Sequence, residues 1–174
     1  MGCLMSLPTP AHAGFAGEYD VGPSKVKVNI HSWGEDCGPE PKSYTKKGKG
    51  TIEVSESGDH LIFSNGRSTK KCWSANVKLQ RVSVTKKGNS WTIVCESPAG
   101  DSRQEKGKYV VTASAGKITV KETSNYDWKL KDSVCEATIV INKVFTKQGG
   151  EDEPEPEPDD KPATKGEKPT IETE

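Results

Sequence analysis

The chain has 174 residues, enough for one domain of ordinary size and a tail, and its mean hydropathy of −0.74 argues against a protein built from membrane-spanning helices. Its net charge of zero hides a split, because residues 151–174 carry ten acidic groups against three lysines, whereas the rest of the chain has a net charge of +7. A basic domain on an acidic tail predicts either a surface for anionic polymers or lysines that protect strand edges, and the second explanation is the simpler.

The amino terminus, MGCLMSLPTPAHAGFAG, contains two incompatible signals. Gly2 and Ser6 fit the N-myristoylation pattern, with Cys3 as a second acylation site. Residues 11–13, Ala-His-Ala, instead form an A-x-A cleavage site after a short apolar stretch, as in a secretory signal peptide. A third reading makes Cys3 the lipid-bearing end of a bacterial lipobox. Export is favoured, so residues 1–13 are interpreted as a signal-peptide remnant and the protein is expected to be secreted or held in the cell envelope, in the periplasm or at the cell surface.

The remaining cysteines support export. None lies in a C-x-x-C pair and few histidines are near them, whereas zinc sites need paired ligands at short spacing, so no metal or other cofactor is expected. An even set of cysteines in an oxidising compartment instead predicts two disulfides. These residues are Cys37, Cys72, Cys95 and Cys135.

Residues 14–147 show the period-two alternation of apolar residues that is typical of strands, and no stretch keeps a helical period for three turns. Val26, Val28 and Ile30, for example, share one face. Short turns separate the segments, and Asn65-Gly66 favours a type I′ hairpin. The sequence therefore predicts one all-β domain, an antiparallel barrel or sandwich of about nine to ten short strands. The segments are KVKVNIHSW, GTIEV, HLIF, two strands in VKLQRVSVTKKGNSWTIVC, two in GKYVVTASAGKITVKETS, then YDWKL and VCEATIVINKVF.

Two similar segments predict a weak internal repeat. Ser32-Trp33-x-x-x-Cys37 returns as Ser90-Trp91-x-x-x-Cys95, at an offset of 58 residues. If the two halves are repeats, each closes its own bridge. Of the three connectivities that four cysteines allow, this selects Cys37–Cys72 and Cys95–Cys135.

The tryptophans lie close to cysteines or turns, and two interpretations of them stay open. In the favoured one the indoles pack over the disulfides. In the other, some of them line an open pocket or a sugar-stacking surface with nearby tyrosines, Tyr126 included, and with interleaved basic residues. The candidate ligand-binding residues are Trp33, Tyr44, Arg67, Lys70, Lys71, Trp73 and Trp128.

No catalytic motif is found in the sequence. His31, in a predicted strand, and His60, in a predicted turn, have no recognisable acid or nucleophile partner, and Gly100-Asp101-Ser102 is interpreted as a loop. No glycine-rich phosphate loop, calcium loop or metal-binding helix motif occurs. The chain is therefore expected not to be an enzyme.

The carboxyl-terminal segment, residues 148–174, has no aromatic residue, and Ile171 is its only branched aliphatic. Such a segment cannot bury enough apolar surface to offset its chain entropy, so it is predicted to be a disordered, acidic, proline-rich tail or linker. Alternating Glu and Pro favour an extended polyproline conformation. The tail is a candidate to screen the basic domain of the same chain.

The segment FAGEYDV, from Phe15 to Val21, resembles the Gly-x-Trp or Gly-x-Tyr opening of lipocalin-type barrels, with Tyr19 at the aromatic position. This resemblance implies a barrel whose closed end is plugged by that ring. More broadly, a cleaved signal, a disulfide-bonded β domain and a charged proline-rich tail resemble secreted or surface proteins of myxobacteria and related bacteria. That second resemblance implies no activity.

Together these features predict an exported, monomeric binding or surface-structural module whose ligand the sequence does not identify. Two alternatives stay open. One is a lipocalin-like carrier of a small hydrophobic ligand, which needs strands that close around an apolar cavity. The other is an inhibitor or a protein that binds an anionic polymer through its basic face.

Overall fold

The computed structural model describes residues 14–73 and 79–149. These residues form ten strands in one antiparallel sheet that curls into a half-barrel, which confirms the all-β, antiparallel prediction. The signal-peptide remnant predicted for residues 1–13, and the predicted tail from residue 150 onward, lie outside the described residues. A 3-10 turn, Glu35–Cys37, follows the second strand. The strands are β1 Gly17–Val21, β2 Ser24–Trp33, β3 Tyr44–Lys46, β4 Thr51–Ser57, β5 His60–Phe63, β6 Gln80–Lys87, β7 Ser90–Glu96, β8 Arg103–Ser114, β9 Lys117–Leu130 and β10 Ser133–Lys147.

The last strand, β10, is the centre of the sheet. One of its edges pairs with β9, and the sheet continues through β8, β7 and β6. Its other edge pairs with two strands placed end to end, β2 along residues 135–142 and β1 along residues 145–147. Beyond them lie β3, next to β2, and β4 and β5, next to β1. One stretch of β10 therefore lies in the part of the sheet that ends in β5, and the other in the part that ends in β3.

The hydrophobic core fills the part of the half-barrel near β1, β4 and β5. Successive side chains of a strand lie on opposite faces of the sheet, so alternate residues point inward. Tyr19 is fully buried there, and its hydroxyl donates a hydrogen bond to the carbonyl of Phe15 at 2.7 Å. Trp73 packs edge-on against Phe63 and stacks on Tyr109, with ring centroids 5.2 and 6.4 Å apart. The core residues are Tyr19, Ile52, Val54, Leu61, Phe63, Trp73, Trp91, Ile93, Cys95, Tyr109, Val111, Ala113, Ile118, Val120 and Phe145.

Near β3, the inner face of the sheet stays partly open. Phe145 of β10 is buried in the core, whereas Ile139, further along the same face, is only half-buried. The inward residues Val28 and Ile30 of β2 are also half-buried. This open half of the inner face is apolar but is not packed as a core.

The two disulfides do not follow the predicted pairing. Cys37 is bonded to Cys135 and Cys72 to Cys95, with Cα–Cα distances of 5.7 and 6.0 Å. The predicted pairs Cys37–Cys72 and Cys95–Cys135 are therefore wrong, and so is the repeat on which they depended. The sequence separations of 98 and 23 residues correspond to about 5 and about 3 kcal/mol of stabilisation on a chain-entropy model.

The two segments that suggested the repeat occupy different structures. Trp33 ends β2 and Cys37 lies in the 3-10 turn beyond it. Trp91 and Cys95 instead both lie on β7, and both are buried in the core. A spacing of four residues keeps two side chains on one face of a continuous strand. In the first segment the strand ends between the two residues, so the same spacing has no such consequence.

Some local details also differ from the predictions. YDWKL is the second half of the 14-residue strand β9 and not a separate strand. A turn forms at Asn65-Gly66 as predicted, but the returning chain pairs through a bridge between Ile62 and Ser68 instead of a second strand. Gln148, which the sequence assigns to the tail, hydrogen bonds to β1 through its amide and its side chain. In the part of the chain that the structure describes, no helix has the length and apolar character needed to span a membrane.

Candidate ligand-binding pocket

A pocket of about 310 Å³ lies in the open half of the inner face. Its walls come from β2, β8, β9 and β10 and from the loop that follows β2. It is lined by Trp33, Pro39, Pro41, Arg103, Glu105, Tyr126, Trp128, Ala137 and Ile139. The structure therefore brings together residues from distant parts of the sequence.

The register of the sheet explains why Trp33, Trp128 and Arg103 lie in one row across the strands. Cys135 on β10 lies between Trp33 on β2 and Trp128 on β9. Trp128 in turn lies opposite Arg103 on β8. Residues opposite each other on antiparallel strands share a face, so two indoles flank the Cys37–Cys135 bridge on the inner face. This arrangement fits the interpretation in which indoles pack next to a disulfide, and it also forms a pocket wall.

The next row, two residues further along each strand, carries the polar group of the pocket. Ala137 on β10 lies opposite Tyr126 on β9, and Tyr126 lies opposite Glu105 on β8. The two rows lie on the same face because side chains alternate with a period of two. An acidic side chain is therefore placed beside an aromatic wall.

The loop of residues 34–41, which we call the covering loop, contributes Pro39 and Pro41 to the wall of the pocket. The Cys37–Cys135 disulfide fastens it to β10. The indole N–H of Trp33 donates a hydrogen bond to the carbonyl of Gly38 at 3.0 Å, and the amide of Asp36 donates to the Ser133 hydroxyl at 3.1 Å. These contacts hold the two prolines of the covering loop against the pocket.

Aromatic rings of β9 form much of the pocket wall. Tyr126 and Trp128 meet edge to face, with ring centroids 5.1 Å apart and planes at 86°. The guanidinium of Arg103, at the exposed rim, lies 5.3 Å from the centroid of the Trp128 ring. The buried indole nitrogen of Trp128 has no hydrogen-bond partner among the described residues. The wall therefore offers ring faces, and the indole N–H of Trp128 is buried behind them.

Glu105 is a buried carboxyl on the pocket wall, with only 1% of its surface exposed. Within residues 14–73 and 79–149 neither of its carboxylate oxygens makes a hydrogen bond of ordinary geometry, and the Ser124 side chain provides only a weak one. Burial raises the pKa of Glu105, and the nearby Ser124 hydroxyl opposes this rise only in part. The backbone is well held, because the Glu105 amide donates to the Ser97 hydroxyl and its carbonyl accepts from the Ser97 amide, both at 2.9 Å. A fixed, buried and weakly hydrogen-bonded carboxyl thus belongs to the wall of the pocket.

A second depression, also of about 310 Å³, is basic. Two of its lining residues, Lys143 and Arg67, form ion pairs with Glu122, which is 7% exposed. Burial lowers the pKa of Lys143, and the attraction of Glu122 opposes this change. The five basic residues that line the depression outnumber this single carboxylate. They are Lys46, Lys47, Lys49, Arg67 and Lys143.

The predicted aromatic candidates fall into three environments. Trp33 and Trp128 line the pocket, together with Tyr126. Trp73 is 3% exposed and belongs to the core. Tyr44 is exposed on β3, opposite Val26, and does not line the pocket.

The predicted basic candidates lie away from this pocket. Arg67 lines the basic depression, and its guanidinium lies 5.2 Å from the centroid of the Trp73 ring. Lys70 lines a shallow depression with His60 and Arg81. Lys71 is exposed in the turn before Cys72.

Sequence reasoning named neither Glu105 and Arg103 on β8 nor the two prolines of the covering loop as candidate site residues. A signal for Glu105 was present. In EKGKYVV, Tyr109 and Val111 have the spacing of inward residues, and the same period places position 105 on the inner face. A carboxyl on that face is unusual, because buried acidic groups are rare unless paired.

No group of three or more His, Cys, Asp or Glu side chains that could hold a metal ion occurs in the described ranges. No protein-family model, curated protein or solved structure matches the chain. Function must therefore be inferred from the chemistry of the pocket.

Proposed function

We propose that the protein is an exported binding protein that takes a small ring-bearing or similarly apolar ligand in the open half of its half-barrel. The observation that carries this proposal is the pocket itself, where aromatic rings from two strands stand beside a buried carboxyl that belongs to none of the ion pairs of the described residues. Concave, mostly apolar sites with a few convergent polar groups are the usual form of small-ligand sites. The pocket volume of about 310 Å³ lies at the lower end of the range for such sites.

Export is supported by the two disulfides, because such bonds persist in oxidising compartments. The covering loop gives one of them a role at the binding site, since Cys37–Cys135 holds the loop against the sheet. A role in binding explains why the open half of the inner face is left unfilled, whereas a purely structural module gains nothing from it.

The experiment that tests binding uses the four tryptophans as reporters. The indole N–H signals of the 15N-labelled protein are followed by NMR during titration with benzyl alcohol, benzoate and benzyltrimethylammonium. We expect at least one probe to shift the signals of Trp33 and Trp128, which line the pocket. The signals of Trp73 and Trp91, which lie in the core, serve as internal controls.

A result in which none of the three probes shifts the pocket signals, or all four indole signals shift equally, contradicts the proposal. The Trp128→Ala variant provides a second check. It should weaken binding of the active probe, whereas Tyr44→Ala, on exposed β3, should not.

A second candidate function is recognition of an anionic group by the basic depression. The favouring observation is the close packing of its lysine-rich loop: a Cβ at Gly48 would lie 1.8 Å from the carbonyl oxygen of Val21. Glycine therefore lets the loop rest directly on β1 and gathers its lysines near Arg67 and Lys143. Such a cluster attracts anions in a salt-dependent manner.

Heparin chromatography at several salt concentrations tests this second function. The triple variant Lys46→Gln, Lys47→Gln and Lys49→Gln should elute at clearly lower salt than the wild type. A matched triple variant on the exposed face of β9, Lys117→Gln, Lys121→Gln and Lys129→Gln, removes the same charge. Equal loss of retention in both variants would show that only net charge matters.

A further inference from the structure

We infer that the ligand of the pocket carries an organic cation, such as an alkylated ammonium group, which pairs with the carboxylate of Glu105 and is enclosed by the rings of Trp33, Tyr126 and Trp128. This inference rests on the proposed function and specifies its ligand class.

The first support is an acidic group without a compensating charge. Glu105 takes part in none of the ion pairs that the described residues form. Arg103 lies two residues away on the same face of β8, but its guanidinium is placed over Trp128 and not on the carboxyl. A buried carboxyl with no partner is costly to ionise, and an incoming cation offsets that cost. The pocket therefore has a polar position that only a donor or a cation can satisfy.

The second support is the type of wall around the carboxyl. Ring faces attract cations through their quadrupole, and aromatic walls beside a carboxylate suit alkylated ammonium groups, whose methyl groups are too apolar to need water. The guanidinium of Arg103 lies 5.3 Å from the centroid of the Trp128 ring, so this ring already holds a cation in the present structure, and a ligand cation there would share or replace that contact. Tyr126 lies opposite Glu105 and places a second ring next to the carboxyl.

Other ligand classes fit less well. A purely apolar ligand would leave the Glu105 carboxyl buried with only its weak contact to Ser124, which costs free energy. An anionic ligand would be repelled by an ionised Glu105. A neutral hydroxyl or amide would satisfy one oxygen but would draw no benefit from the ring faces.

Proton linkage follows from the same geometry. A cation favours the ionised carboxylate, so binding releases a proton when Glu105 is protonated in the free protein, and affinity rises with pH until the carboxyl is ionised. The titratable or charged groups that face Glu105 are Tyr126 on β9 and Arg103 and Tyr109 on β8. The lining residues of β2 and β10 carry no titratable side chain. Glu105 is therefore the group expected to titrate on binding, above its ordinary pKa of 4.5.

The test compares benzyltrimethylammonium with benzyl alcohol, which shares the ring but has no charge. On the wild-type protein the cation should bind at least about tenfold more tightly than the alcohol. The Glu105→Gln variant should lose about tenfold or more in affinity for the cation and keep its affinity for the alcohol. Glu53→Gln, on the exposed face of β4, removes the same charge away from the pocket lining and the covering loop and should change neither affinity.

Equal affinity of the wild type for the two probes, or an unchanged cation affinity in Glu105→Gln, overturns the inference while leaving a binding function in place. Failure of every probe, by contrast, removes the proposed function itself. The pH dependence of cation affinity in the wild type gives a second measurement that needs no variant. A cation affinity that does not rise with pH above the ordinary carboxyl pKa of 4.5 would also overturn the inference.

Discussion

Glu105 and Tyr126 lie directly opposite each other on β8 and β9, so a carboxyl and a phenol share the inner face at the pocket. Burial raises the pKa of Tyr126, and the negative charge of Glu105 raises it further. The pKa of Glu105 is itself raised by burial. Both groups are therefore held toward their neutral forms in the free protein, and a cation in the pocket reverses this preference for Glu105.

Replacing Glu105 by Gln should change how stability depends on pH. A carboxyl whose pKa is higher in the folded state than in the unfolded state stabilises the fold fully below its ordinary pKa of 4.5. That contribution is lost as the pH rises from there to the raised folded pKa. Glu105→Gln should therefore be more stable than the wild type at neutral pH, and the difference should shrink or reverse near about pH 4.

Denaturant unfolding at a series of pH values checks this prediction. Glu40→Gln serves as the control, because Glu40 is exposed and its removal should give a curve parallel to that of the wild type. A constant difference between Glu105→Gln and the wild type at every pH would show that the Glu105 carboxyl titrates normally.

The fold was predictable because alternation of apolar residues fixes which face of each strand is buried, and β2 and β4 follow that rule closely. The pocket was only partly predictable. Trp33 and Trp128 are conspicuous in the sequence, but their meeting depends on the register of β2, β10 and β9, which no local pattern encodes. The disulfide prediction failed for the same reason. Cys135 reaches Cys37 because β10 pairs with β2, a contact between distant parts of the chain.

The ion cluster that Glu122 forms with two residues lining the basic depression should be important for stability. Glu122 pairs with Lys143 and Arg67, and the side chains of Glu122 and Lys143 are 10% and 18% exposed. Glu122→Gln leaves two cations near each other without their carboxylate, so we expect the free energy of unfolding to fall by about 3 kcal/mol. Asp59→Asn, which breaks the exposed pair with Lys86, should cost less than about 1 kcal/mol.

Chemical denaturation of both variants at neutral pH provides the measurement. Similar losses in the two variants would show that the Glu122 cluster behaves as an ordinary surface pair. The depressed pKa of Lys143 offers an independent check, because without Glu122 the pKa of this lysine should fall further.

Gly107 should resist substitution because of its neighbour on the inner face. A Cβ at position 107 would lie 2.7 Å from the hydroxyl oxygen of Tyr109 and 3.0 Å from two of its ring carbons. Gly107→Ala must therefore displace a ring that is 1% exposed, and we expect a loss of about 1 to 3 kcal/mol in the free energy of unfolding. Unchanged stability would mean that the Tyr109 ring can move without disturbing the core.

The two disulfides should differ in their importance for binding. Cys37–Cys135 fastens the covering loop to β10 beside Trp33 and Trp128, whereas Cys72–Cys95 joins the core and contributes no residue to the pocket lining. The Cys37→Ser, Cys135→Ser double variant should therefore lose most of its affinity for the probe that binds the wild type, because the covering loop is then free to leave the pocket. The Cys72→Ser, Cys95→Ser variant should bind as the wild type does wherever it remains folded.

Peptide mapping without reduction establishes the pairings first, and the NMR titration of each double variant then measures affinity. Thermal unfolding of both variants is needed beside it, because each bridge contributes about 3 to 5 kcal/mol on the chain-entropy model. An affinity that falls only in the variant lacking Cys37–Cys135, at a temperature where both variants are folded, supports the covering loop as part of the site. Equal affinity in the two variants would mean that the pocket on the sheet binds its ligand without the loop.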